Sequence, residues 1–196
     1  MILDALKEAL SDLPIADDPR ATGLMAAHWE LVVAWNERVN LTSIDDELEA
    51  AWVHYRDSLE ALELLVPGDI VDLGSGAGYP GIPLAIAEPS RRVTLVEPRR
   101  KRASFLETAA SRLGLSNVTV LETRSETSPR ELAANVVTRA TFSAVNDLLV
   151  CRKWVASGGQ LLAYRSEPSG DPGAKLHRYA LNGESRVIEI WQGVPA

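Results

Sequence analysis

The residues best able to do chemistry lie in one run, Asp72-Leu73-Gly74-Ser75-Gly76-Ala77-Gly78-Tyr79-Pro80-Gly81. It follows the apolar segment Ile70-Val71 and opens an apolar stretch that reads as a helix. Glycines in such a turn let the backbone approach a ligand and take conformations closed to other residues. Glu97 ends the next β-rich run, 23 residues after Gly74. In sheets of this kind an acid at that strand tip holds ribose hydroxyls, so the pair predicts a nucleoside-bearing ligand. Gly76-x-Gly78-x-x-Gly81 also satisfies the dinucleotide pattern, which is weak evidence alone. Two features favour S-adenosylmethionine. The first glycine comes at Gly74, directly after Asp72-Leu73, and the following helix begins with Pro80 and Pro83. A dinucleotide site spends its helix N-terminus on a pyrophosphate, which S-adenosylmethionine lacks.

The elements that position these residues follow from the pattern of the chain. After Pro67-Gly68, short β-rich runs alternate with helical stretches. Strands are predicted at Ile70–Leu73, Val93–Glu97, Val118–Leu121, Val136–Thr138 and Gln160–Tyr164, the last turned in by Gly158-Gly159. Helices are predicted at Gly81–Ala87, Arg99–Leu113 and near Ala144–Trp154. His177–Leu181 and Arg186–Trp191 read as a closing pair of strands. Alternation of this kind implies βαβ units and a mostly parallel sheet.

Residues 1–66 read as helices. Leu3, Leu6, Leu10 and Leu13 recur at helical spacing, and Thr22–Val39 places Leu24, His28, Leu31 and Trp35 on one face. A third helix starts at Asp45 or Asp46 and runs through Trp52, Leu59 and Leu62. This segment is an acidic helical cap on a core of residues 67–196, the two forming one structural unit. The fold class is α/β, a Rossmann-like methyltransferase sheet with an N-terminal helical cap.

The formal net charge is −7. The cap holds 14 acids against 4 bases, whereas the core holds 13 acids against 16 bases. Arg99, Arg100, Lys101 and Arg102 make the densest basic cluster and mark a polyanion-facing side or a solvated helix start. Cys151 is the one cysteine and lies in an apolar run, so it reads as a buried thiol with no disulfide. Three scattered histidines give no metal-ligand spacing. The first residues lack the basic start of a signal peptide, and no run reaches a membrane span, so a cytoplasmic protein with no membrane partner is expected. Nothing demands a subunit interface, so a monomer is expected. The five tryptophans read as packing residues.

The segment Gly74–Ile86 closely resembles the signature of the RsmG (GidB) methyltransferases. Trp35-Asn36-Glu37-Arg38-Val39-Asn40-Leu41-Thr42, His54-x-x-Asp57-Ser58-Leu59 and Val137-Thr138-Arg139-Ala140 resemble three further motifs of that family, in the same order. The resemblance implies methylation of guanine N7 in 16S ribosomal RNA, with the small ribosomal subunit as partner, S-adenosylmethionine as donor and S-adenosylhomocysteine as product. It implies a donor pocket of Asp72, Gly74, Gly76, Gly78 and Tyr79, with Glu97 on the ribose and Ser125 and Glu126 beside the adenine. Arg139 would reach the donor or the target base, and is the catalytic candidate. An ion pair of Arg139 with Asp72 or Glu126 is the competing expectation. Tyr79 is the candidate to stack on the base; the charge pattern makes Arg99, Arg100, Lys101 and Arg102 candidates to face RNA, with Arg165, although the run Pro98–Arg102 is more basic than the family leads one to expect. The resemblance thins after the fifth strand, where Arg165-Ser166 stands for the family's Lys-Gly.

Guanine N7 carries a lone pair and no proton, so methyl transfer to it needs no general base, only positioning. That agrees with the lack of a Ser/His/Asp or paired-acid constellation. An Asn/Asp-Pro-Pro-aromatic loop for amino-group methylation is missing, and Cys151 lacks the polar setting of a nucleophile. A same-fold enzyme for a small molecule or another RNA, and a catalytically silent RNA-binding protein, are the alternatives.

Overall fold

The computed structural model describes residues 1–127, 129, 132–139 and 150–193. Seven strands form one sheet in the order β3-β2-β1-β4-β5-β7-β6. They are β1 (Ile70–Leu73), β2 (Val93–Val96), β3 (Val118–Leu121), β4 (Ala133–Arg139), β5 (Val155–Arg165), β6 (Lys175–Leu181) and β7 (Glu184–Gln192). The first five run parallel, and β7 pairs antiparallel with both β5 and β6. This is the expected Rossmann-like sheet with its closing pair.

Alternation along the strands divides the core in two. Ile70, Leu95, Val137 and Leu162 face a cluster shared with Leu6, Met25, Trp29 and Tyr55 of the cap. Val71, Val96, Val136 and Leu161 face the opposite cluster with Cys151 and Trp154. The cap therefore shares its apolar core with one face of the sheet. Cys151 is buried as expected. No helix among the described residues is long and apolar enough to cross a membrane.

The cap begins with α1 (Ile2–Ala9) and α2 (Pro19–Val39). In α1 Ile2, Ala5, Leu6 and Ala9 are buried, and of the expected leucine stripe Leu6 and Leu10 are fully buried while Leu13, beyond the end of the helix, packs against the same core. Asp18 caps α2, accepting from the amides of Arg20 and Ala21, and Pro19 takes the first helical position, where its missing N–H costs nothing. Asn40 ends α2 in the left-handed conformation, φ 50°. The buried face of α2 is Met25, His28, Trp29 and Val32, with Leu24, Leu31 and Trp35 on its flank.

The expected third helix is broken into pieces. Asp46 caps α3 (Glu47–Ala50), a π-helical segment follows over Ala51–Arg56, and α4 (Asp57–Leu59) completes it. Leu62 lies beyond it in a separate 3-10 turn. α5 (Gly81–Ala87) follows β1, and α6 (Arg100–Arg112) follows β2. β5 is longer than predicted. Gly158 and Gly159 lie inside it, where the pairing with β4 steps from Ala133↔Val155 to Asn135↔Gln160, so these glycines serve a bulge and not a turn. The expected helix near Ala144–Trp154 falls largely outside the described residues. Residues 150–152 are helical, and Trp154 lies in the turn before β5.

Candidate donor site and its cap

The parallel register brings the candidate residues to one edge. Leu73 is level with Val96 and Thr138, and Val96 with Leu121. The next residues, Gly74, Glu97 and Arg139, therefore stand side by side at the carboxyl ends of β1, β2 and β4, where open α/β sheets bind ligands. Glu97 and Arg139 share strand parity with Leu95 and Val137, so both belong to the face that carries the cap.

The glycine loop turns tightly. The amides of Gly74 and Ser75 donate to the Val96 carbonyl, and those of Gly78 and Tyr79 to the Ser75 carbonyl. Gly74, Gly76 and Gly78 have φ of 78°, 56° and 94°, a region that side chains resist. Asp72 is fully buried, and its Oδ2 accepts from the Gly81 amide at 3.0 Å. That carboxyl occupies the start of α5, which leaves no room there for a pyrophosphate. The dinucleotide alternative is thereby disfavoured on geometry as well as on sequence.

Glu97 is 3% exposed. Its Oε2 accepts from the Gly76 amide at 3.0 Å and its Oε1 from the Arg99 amide at 2.8 Å. A carboxylate has about four acceptor sites, so a pair of hydroxyls can still be held. Beside it, Gly74, Val96, Pro98, Arg124, Ser125 and Glu126 line a cleft of about 350 Å³. A Cβ on Gly76 would meet nothing closer than 3.9 Å, so the loop is open above that residue. An open glycine loop, an acid at the β2 tip and an adjoining cleft fit a nucleoside such as that of S-adenosylmethionine.

Arg139 corrects an expectation. Its ion pair is made with Asp57 of α4, with Nη1 at 2.9 Å from Oδ2, while its charge also acts on the buried Asp72. The same nitrogen donates to the Val53 carbonyl at 2.7 Å, inside the π-helical segment. Insertion of a donor into a helical ladder is one way such a turn is widened. Tyr179 of β6 donates to the other oxygen of Asp57 at 2.6 Å. Asp57 thus ties the cap to β4 and β6.

Tyr79 departs from expectation too. Its ring is 5% exposed, stacks on His54 with centroids 4.3 Å apart, and has the Arg139 guanidinium 5.4 Å from its centre. It is packed too deeply to be a platform for an incoming base. Its hydroxyl donates to Tyr55 Oη, and Tyr55 Oη bonds His28 Nδ1 at 3.0 Å. His28 Nε2 bonds the Ala77 carbonyl at 3.0 Å. A carbonyl only accepts, so Nε2 carries the proton, Nδ1 accepts and Tyr55 donates. This chain joins α2, the π-helical segment and the glycine loop, and sequence periodicity placed none of its links except His28 as a packed residue. His54 follows similar logic. Arg139 Nη2 approaches its Nδ1 at 3.5 Å, so Nε2 bears the proton toward Thr42 Oγ1 at 2.9 Å. Asn36 holds the Thr42 loop from both sides, accepting from the Leu41 and Thr42 amides and donating to the Thr42 carbonyl. His54 and Asp57 do not bond each other but share Arg139.

Burial lowers both His28 and His54 to about 3, and the Arg139 charge adds to the effect on His54. Burial raises Asp72 to about 7. Unfolded histidines protonate near 6.5, so stability falls as pH drops from 6.5 toward 3, because only the unfolded chain takes up those protons. Asp72 acts oppositely, since the folded chain holds its proton where the unfolded chain has lost it, and that contribution falls as pH rises from 3.8 to 7. Two histidines outweigh one aspartate. The unfolding free energy is expected to be lower at pH 4.5 than at pH 7 by roughly 2 kcal/mol. Urea midpoints at the two values check this, and a higher midpoint at pH 4.5 would contradict it.

Of the expected RNA-facing cations, Arg99, Arg100 and Lys101 are exposed at the start of α6. Arg102 is half-buried and donates to the Asn40 carbonyl at 2.8 Å, so it braces the end of α2. Arg165 corrects another expectation. Its side chain is 15% exposed, with Nε 3.4 Å from Oε2 of the fully buried Glu189. Ala163 pairs with Glu189 across β5 and β7, so Arg165 lies diagonally beside that acid on the face away from the cap. A buried carboxylate needs a cation, and Arg165 supplies it instead of meeting RNA.

Comparisons with known proteins agree with this arrangement. A family model described as rRNA small subunit methyltransferase G, GidB, matches residues 22–184. Ribosomal RNA small subunit methyltransferase G of Clostridium beijerinckii is 36% identical over 152 residues, covering 74% of this chain and 63% of that protein. The protein of that name from Xylella fastidiosa is 41% identical over 138 residues, covering 70% and 62%. The matched region is thus less than two thirds of the length of these relatives. Among solved structures, a SAM dependent methyltransferase from Aquifex aeolicus superimposes with a TM-score of 0.58 at 17% identity, covering 77% of this chain and 96% of that one. Precorrin-6y C5,15-methyltransferase from Geobacter metallireducens gives 0.54 at 14% identity, covering 78% and 90%. At these identities the likeness is one of fold.

Proposed function

The chain belongs to the GidB family of small-subunit rRNA methyltransferases, and from that membership we propose that it transfers a methyl group from S-adenosylmethionine to N7 of a guanine in 16S ribosomal RNA. The observation that carries the reading is the glycine loop with Glu97 at its side and the Asp57–Arg139 pair beneath the cap, because Thr42, His54, Asp57, Tyr79 and Arg139, drawn from each of the family's motifs, meet there. Gly74, Gly76, Glu97, Ser125 and Glu126 would hold the donor, which supplies a methyl group on a sulfonium. That methyl would pass from sulfur to the N7 lone pair, which would leave S-adenosylhomocysteine and a cationic 7-methylguanine. No proton moves, so the chain's residues bind and orient. Arg139 acts from beneath, fixing Tyr79 and the π-helical segment around the loop, and the cap excludes water on that side. The small ribosomal subunit or its RNA is the partner, and the exposed cations at the start of α6 face it.

The test uses methyl-labelled S-adenosylmethionine and small subunits from cells lacking the modification. Label in 7-methylguanosine is expected. Label in another nucleoside would keep the enzyme class and overturn the target. Bound donor without label would overturn the activity. Glu97→Gln keeps the shape and removes the charge, and is expected to weaken donor binding by roughly 10- to 100-fold in calorimetry, the loss of a charge-assisted bond. Unchanged binding would remove Glu97 from the donor site.

A further inference from the structure

A groove of about 570 Å³ lies between α2 and α6, lined by Trp35, Arg38, Val39, Arg100, Lys101 and Ser104. The geometry points to this groove as a seat for an unpaired nucleotide of the substrate RNA, outside the methylated base. The inference rests on the RNA methyltransferase reading and extends it to residues of the cap.

Three observations converge on that occupant. First, Arg38, Arg99, Arg100 and Lys101 are exposed, and none of them forms an ion pair among the described residues. They gather on a chain of net charge −7 whose cap is strongly acidic, so the cluster is a local exception that suits a polyanion. Second, the half-buried indole of Trp35 lines the same groove, braced edge-on by Phe105 at 5.6 Å. An aromatic platform beside cations is the arrangement that takes a splayed-out base and its phosphates. A volume of this size suits a ligand of nucleotide scale and not a duplex, whose bases are stacked out of reach. Third, the groove adjoins the donor loop. Arg102 donates to Asn40 at the end of α2, and its Nη1 stands 4.0 Å from where a Cβ on Gly76 would lie. Arg99 lines the donor cleft and Arg100, the next residue, lines the groove. A strand held here therefore passes beside the donor.

The test uses the full chain and a short fluorescein-labelled oligoadenylate, single-stranded or paired with oligouridylate, followed by anisotropy over a salt series. The single strand is expected to bind more tightly than the duplex. Arg38→Glu, at an exposed position, is expected to weaken it about tenfold and to flatten the salt slope by about 1. Trp35→Ala is expected to weaken it about 5- to 150-fold, and Trp35→Phe to recover most of the loss. Donor affinity in calorimetry stays the same in each variant. Equal strand binding by Arg38→Glu and the unaltered chain would overturn the inference. So would tighter duplex binding, or a concentration-dependent dimer that Arg38→Glu abolishes, which would give the groove to a second copy. The two readings fail separately. A chain that methylates ribosomal RNA with kcat/KM untouched by Arg38→Glu and Trp35→Ala keeps its activity and loses the groove. A chain whose groove binds the strand but transfers no methyl group keeps the groove and loses the activity.

Discussion

Asp57→Ala is expected to lower the unfolding free energy by about 3–5 kcal/mol, the range found when one partner of a buried ion pair is removed. Asp57 is 4% exposed and holds Arg139 at 2.9 Å and the Tyr179 hydroxyl at 2.6 Å. Its loss takes from the guanidinium the carboxylate it pairs with, and the Val53 carbonyl and the edge of His54 that it also meets carry no negative charge to replace it. For a chain of this size the melting temperature should fall by roughly 6–20 °C. Asp57→Asn keeps the shape and one acceptor for Tyr179, and should cost about half as much. Urea titration of both variants checks the pair. A loss below about 1 kcal/mol for Asp57→Ala would mean that the cap is held by its apolar face and not by this charge.

The second large effect is expected at Gly81. Its φ is ordinary, so the demand for glycine there is one of space and not of conformation. A Cβ at this position would lie 2.2 Å from Leu95 Cδ2 and 2.7 Å from Asp72 Oδ2. The leucine is fully buried and the carboxylate is bonded to the Gly81 amide, so neither can move aside freely. Gly81→Ala must push α5 off β1 and β2. Overpacking of this kind costs about 1–3 kcal/mol. The larger consequence falls on function, because α5 and the glycine loop are one continuous turn, and a shift of about 1 Å in a binding element can cost two orders of magnitude. Donor affinity should drop about 100-fold. Gly114→Ala, where a Cβ would meet nothing within 4 Å, is the contrast, although its φ of +65° brings its own modest strain. Full donor affinity in Gly81→Ala would show that the loop tolerates displacement of its helix.

How much of this could be read from the sequence depended on the range of the signal. β1, α5 and β3 have the bounds that their residues predicted, because an apolar tetrad, a glycine run and a Pro-bearing helix start act locally. The third cap helix was harder. Periodicity assumes one pitch and one helix, so it did not foresee the π-helical segment or the separate turn that holds Leu62, although Leu59 is buried where it was expected. Gly158-Gly159 carries a turn signal that the β4–β5 bulge uses differently. Arg139 was singled out, yet its partner was not, since Asp57 and Asp72 are equally acidic in a sequence and only packing of the cap chooses between them. The motif His54-x-x-Asp57 marked the right residues without stating what they touch. Tyr55 and Tyr179 carried no mark at all, because their partners lie in other elements and no spacing rule reaches across them. Arg165 was misread because the acid that claims it, Glu189, sits on a strand whose pairing could not be known in advance.

The reach of the Asp57 contact has a consequence for synthesis. Asp57 and Tyr179 are separated by 122 residues, and Glu60 and His177, which also bond, by 117. At about 5–20 residues per second, translation takes roughly 6–24 s to deliver β6 after Asp57 has been made. For about the first two thirds of that interval the nascent cap has its acid but neither strand that completes it, since Arg139 follows Asp57 by 82 residues and Tyr179 by 122. That edge of the sheet is therefore closed by a strand made well after the glycine loop. A half-made chain therefore holds the glycine loop without its finished roof, because Tyr179 follows Asp57 by 122 residues.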